Sequence, residues 1–227
     1  MKQLNFNELI DELSLHKIEA ILKLKKLEPL ELSSLYGTLL LALKSGDWDK
    51  ALAAVNAALH VAPHLTEKYQ IETLFETLLL KLKYQKAPTL TPALEAKEAS
   101  IRTGAITAIA GLVHGMNAQQ CTKMLEHLSD FVKNKDINAK RDSKAAKAAI
   151  DALGILVAKL GHQQKISLLQ TLDAIDKKAA LEQPALDAAG HVIGMLRPSF
   201  SHIHFTFHLG HKTTNPEKTP LLKALHK

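Results

Sequence analysis

The chain has 227 residues and a net charge of +6 at pH 7; 46% of its residues are hydrophobic and 23% charged. That composition excludes a wholly disordered chain and fits one large globular domain or two small ones. A single cysteine excludes an internal disulfide framework and a cysteine-built zinc site, and 4% aromatic residues speak against a base-stacking nucleic-acid surface. Ten glycines and eight prolines are few for a chain full of tight β-turns. The start, Met1 to Glu8, has no apolar core of a leader peptide, and apolar runs such as Leu39–Leu43 fall far short of the roughly 20 residues that span a bilayer. The expectation is a soluble chain in a reducing, cytoplasmic setting, without membrane insertion.

Leucine and alanine recur three and four residues apart with lysine and glutamate between them, which predicts helices throughout. In chain order these cover residues 7–13 and 15–27, ended by Pro29, then 31–45, 48–62 closed by Pro63, and 65–85 opening at Thr66-Glu67. Pro88 and Pro92 bracket the best internal boundary, and Thr91-Pro92 reads as an N-cap followed by proline at the first helical position. Beyond it the pattern predicts a helix over 92–115 with a break near Ser100, a helix over 118–133 capped by Asn117, and one from Asp142 or Ser143 to about 160, ended by Gly161. Helices over 163–177 and 179–196 follow, closed by Pro198.

Three short segments are alike: Ala105-Ile-Thr-Ala108-Ile-Ala110, Ala149-Ile-Asp-Ala152-Leu-Gly154 and Ala185-Leu-Asp-Ala188-Ala-Gly190. Small residues at these offsets thin one helix so that a neighbour can approach, and intervals of 44 and 36 residues span a helical hairpin. With Ile101-Arg102 ahead of the first copy, residues 95–197 resemble the inner helices of HEAT or armadillo repeats. Earlier, Gly46, Trp48, Ala51-Leu52, Ala58-Leu59 and Pro63 resemble the second helix of a tetratricopeptide repeat. That resemblance covers residues 31–63 and implies one helical hairpin, with Gly46 at the tight turn, Ala51 and Ala58 on the touching face and Trp48 as a packing residue.

The charge is uneven. Residues 1–91 balance, so the basic excess lies in the second part, densest at Lys133, Lys135, Lys140, Arg141, Lys144 and Lys147. Such a cluster is either a solvated loop and helix start or a patch for an acidic protein or a phosphate backbone. Seven histidines, among them His16, His60, His64, His114 and His127, are scattered singly and call for no special role. The tail differs. In an extended chain His202, His204 and His208 share one face and Ile203, Phe205, Phe207 and Leu209 the other; in a helix His204, His208 and His211 align. Three readings stay open for it: a Phe face packed on the last helix, a metal site at His202, His204, His208 and His211, and addition to a partner's sheet edge or groove.

No nucleophile elbow, phosphate loop or paired-histidine zinc motif is present, and Cys121 falls inside a helix. The expectation is therefore an all-α protein of stacked antiparallel helical hairpins, α-solenoid-like, with a short extended or irregular C-terminal tail. Its expected parts are an N-terminal helical domain over 1–87, a HEAT-like domain over 92–197 and a His-rich flexible tail over 198–227. The expected function is a non-enzymatic scaffold or adaptor for protein partners in a larger assembly, a secretion machine being one example, with no cofactor. The alternative is nucleic-acid binding through the basic second half. HEAT-like DNA glycosylases are of similar size, but they rely on groove aromatics, and here no tryptophan follows Trp48 and no tyrosine follows Tyr84.

Overall fold

The computed structural model describes residues 5–82, 91–133, 139–176 and 182–196, with the side chains of 139–142 and 174–176 outside that description. Every regular element among the described residues is helical. In chain order they are α1 (Phe6–Ser14), α2 (Ile18–Leu24), α3 (Pro29–Lys44), α4 (Trp48–Val61), α5 (Lys68–Lys81), α6 (Pro92–Leu112), α7 (Ala118–Lys133), α8 (Ala139–Leu156), α9 (His162–Asp176) and α10 (Gln183–Leu196). The all-α expectation holds. Two compact units divide the chain, the first ending at Gln120 and the second beginning at Cys121. The expected division at residues 87–92 differs by one helix: α6 packs on α4 and α5 and so belongs with the first unit.

Local chemistry explains the helix ends. Pro29 does not stop a helix; it opens α3 at a position where its missing N–H costs nothing, and the Glu31 carboxylate accepts from the Glu28 N–H at 3.0 Å. Asp47 caps α4 by accepting from the N–H groups of Asp49 (2.9 Å) and Lys50 (3.2 Å). Thr91 caps α6 as expected, accepting from the Leu94 N–H, with Pro92 as the first helical residue. Asn117 and Gln120 bond each other's backbone N–H at 2.9 Å, a reciprocal cap for α7. The expected break at Ser100 is absent, because the Ser100 hydroxyl donates to the Ala96 carbonyl (2.9 Å) and α6 continues to Leu112.

Small residues set the packing. Ala105 and Ala108 on α6, Ala149 and Ala152 on α8, and Ala185 and Ala188 on α10 are all buried. The structure adds a fourth segment of the same kind, Ala54-Val-Asn-Ala57 on α4, with both alanines fully buried. In the first unit α4 and α6 pack against each other, and in the second α8 and α10 do. The three helices α4, α6 and α8 also end alike. Each passes into one 3-10 turn, Ala62–His64, Val113–Gly115 or Val157–Lys159, and then into one buried extended residue, Leu65, Met116 or Leu160. From α6 to α8 these landmarks keep the 44-residue interval of the small-residue segments.

Two glycines show how close the helices come. A Cβ on Gly104 would clash with Val55 Cγ1, and one on Gly154 would lie 3.0 Å from Val192 Cγ2. Val55 is β-branched and cannot swing away cheaply. Gly37, inside α3, faces open space. Gly104→Ala is therefore expected to destabilise the protein, since overpacking costs about 1–3 kcal/mol against the ~1 kcal/mol that alanine gains over glycine in a helix. Gly37→Ala is expected to stabilise it by about 0.5–1 kcal/mol. Urea unfolding of the two variants beside the parent tests the pair; equal effects would show that α4 and α6 are not in close contact.

Candidate interaction site

The turn between α3 and α4 forms one wall of a cavity of about 290 Å³, and α5 and α6 supply the others. Its floor is apolar, from Leu43, Ala51 and Ile101. Trp48, half-buried at the start of α4, stands at the wall, as do Leu80 and Lys81 at the end of α5. Leu80 is 60% exposed. The volume sits at the lower edge of small-molecule pockets, about 300–1,000 Å³.

The charges around the cavity are not equivalent. Burial holds the Lys81 ammonium below the usual lysine range, and no ion pair reaches it among the described residues. Glu98, also on the wall, is committed inward: its Oε1 lies 2.7 Å from Nη1 of Arg102, one turn on, and Arg102 is the largest fully buried side chain among the described residues. Lys97 and Asp49, the chain neighbours of Glu98 and Trp48, pair at 2.6 Å. The site thus offers an apolar floor, an indole edge and one cation short of a counter-charge.

The sequence-derived candidates fare differently. In the basic cluster Lys133 ends α7, and Lys140, Arg141, Lys144 and Lys147 lie on the first turns of α8. Lys147 is paired with Asp151 at 2.6 Å, which offsets part of the patch. Lys135 and the tail histidines His202, His204, His208 and His211 lie outside the described residues. Cys121 is buried, and burial pushes its thiol up, as expected of a packing cysteine. Trp48, expected as a packing residue, is half-buried and also lines the cavity.

Gly46 also differs from expectation. No described glycine takes a positive φ, so the α3–α4 turn makes no use of glycine's special freedom. The residue that does is His16, at φ 53° between α1 and α2. Its Nδ1 lies 2.9 Å from Nε2 of His60 in the last turn of α4, with the rings at 75°. Burial, and secondarily the neighbouring His16, hold the His60 imidazolium below the usual histidine range. Sequence reasoning set both histidines aside as scattered, because 44 residues separate them and no spacing rule joins them.

One set of exposed apolar side chains lies elsewhere in the first unit. Leu15 (68% exposed) follows α1, and Ile18 (74%) and Leu22 (50%) lie one turn apart on α2, away from its buried Ala20 and Leu24. No helix among the described residues is long and apolar enough to cross a membrane. No family model, curated protein or solved structure matches the chain.

The cap beside the cavity titrates in a defined direction. Backbone N–H bonds from Lys50 and Asp49 hold the Asp47 carboxyl below its ordinary 3.8. Stability from that cap is complete above pH 3.8 and lost as the pH falls through the depressed native value. Asp47→Asn keeps an acceptor for α4 without the charge. Thermal midpoints measured down through the acid range are expected to fall less steeply for Asp47→Asn than for the parent, and parallel curves would refute the assignment.

Proposed function

We propose that the protein is a non-enzymatic interaction scaffold or adaptor, one subunit of a larger assembly, and that the cavity beside Trp48 is where a protein partner engages it. The observation that carries this reading is the Lys81 ammonium, partly desolvated and short of a counter-charge, set beside an indole and an exposed leucine over an apolar floor. Aromatic and cationic anchors around a shaped recess are the usual sources of binding energy at protein interfaces. A partner's apolar side chain fills the recess, and a carboxylate next to it neutralises Lys81. Lys81 has already lost part of its hydration, so pairing costs it less further desolvation than it would cost an exposed lysine.

The family likenesses belong to the same proposal: a tetratricopeptide-like hairpin over 31–63 and HEAT-like hairpins over 95–197, in a cytoplasmic protein. Helical hairpins of these kinds expose surfaces that take peptides and helices. The recurrent alanine segments and the matched helix endings of α6 and α8 support them. Nucleic-acid binding by the basic cluster has less behind it, because Lys147 is already neutralised by Asp151.

Trp48 is the only tryptophan, so its emission reports on the cavity alone. Tagged chain purified from its own cells is expected to bring down a protein in fixed proportion. Adding that protein is expected to shift the Trp48 emission, and Lys81→Glu is expected to weaken the complex at least ten-fold while leaving the fold intact by circular dichroism. Recovery of only nuclease-sensitive material would move the function to nucleic acid. A complex indifferent to Lys81→Glu and silent in Trp48 emission would remove the cavity from the account.

A further inference from the structure

We propose that His16 Nδ1 and His60 Nε2 are a cis pair of imidazole ligands for a tetragonal divalent transition metal, Cu²⁺ or Ni²⁺, which clips the α1–α2 turn to the last turn of α4. The argument is geometric. Two nitrogens bound at about 2.0 Å and at right angles to one metal lie about 2.8 Å apart, whereas a tetrahedral zinc holds its nitrogens about 3.3 Å apart. The observed separation is 2.9 Å. The rings now meet as a hydrogen-bonded pair, with centroids 5.1 Å apart. Accepting a metal asks each ring to tilt toward a common point while the nitrogens keep their spacing.

Two further observations fit. His16 holds a positive φ, a conformation uncommon for a non-glycine residue and one that brings its ring to His60. Both imidazoles must be neutral to bind. His16 is exposed, so a hydrated ion reaches the pair directly. No group of three His, Cys, Asp or Glu side chains converges among the described residues, so water fills the other coordination positions. Lys17, the adjacent cation, leans on Glu12 at 3.9 Å.

The test uses the full chain with His202, His204, His208 and His211 changed to Gln, so that the tail cannot compete for metal. Thermal unfolding is followed with and without excess NiCl₂, then CuCl₂, then ZnCl₂, near neutral pH. Nickel or copper is expected to raise the midpoint by about 3 °C or more, and zinc by less. His16→Asn, which tolerates the positive φ, and His60→Gln are each expected to abolish the rise. If His60→Gln fails to fold, His16→Asn decides alone, since that side chain is exposed. No rise in the parent, or a rise that survives His16→Asn, would overturn the site; a larger effect of zinc would overturn its tetragonal geometry.

Discussion

Helix α4 can take four helical neighbours because it is thin. Ala51, Ala54, Ala57 and Ala58 are buried on it, and α1, α2, α3 and α6 all pack against it. An alanine contributes little apolar area of its own, so the gain comes from what it lets approach. Leu13 from α1, Leu35, Leu39 and Leu43 from α3, and Ile106 and Ile109 from α6 are fully buried in the same unit. The contact of Gly104 with Val55 is the tightest expression of this arrangement, and it leaves no allowance for even one added methyl group. The cavity beside Trp48 follows from it: with α4 and α6 drawn together, the end of α5 and the α3–α4 turn are left to form a recess at their edge.

The small-residue logic was legible in the sequence, and so were the helices themselves. Spacings of three and four mark helices plainly, and alanine with glycine on one stripe can mean little other than close approach. The fourth segment, Ala54 to Ala57, escaped because the same residues also fit a tetratricopeptide-like pattern, which drew attention to Gly46, Trp48 and Pro63 instead. The endings of elements were harder to read. Pro29 is compatible with stopping one helix or starting the next, and only the position of Glu31 relative to Glu28 separates the two. Ser100 looked like a break, yet a hydroxyl that bonds its own helix one turn back leaves the ladder whole.

The site was less legible, for a reason that is general to helical proteins. Chemistry there is assembled from residues far apart in the chain, each on a regular surface that gives no local sign. Lys81 is one of many lysines in the sequence, and only the walls around it make its ammonium unusual. The pairing of His16 with His60 depends on a backbone conformation at His16 that no propensity would suggest. The basic cluster was legible as a run of like charges, but its partial neutralisation by Asp151 depends on where α8 begins.

The buried Cys121 has a practical meaning beyond its lack of reactivity. It is the chain's single thiol, 2% exposed, near the start of α7. A thiol shielded in this way is alkylated only when the surrounding structure opens. The rate at which a small thiol reagent consumes it is therefore a count of those openings, a chemical clock placed by the fold at one position of the second unit.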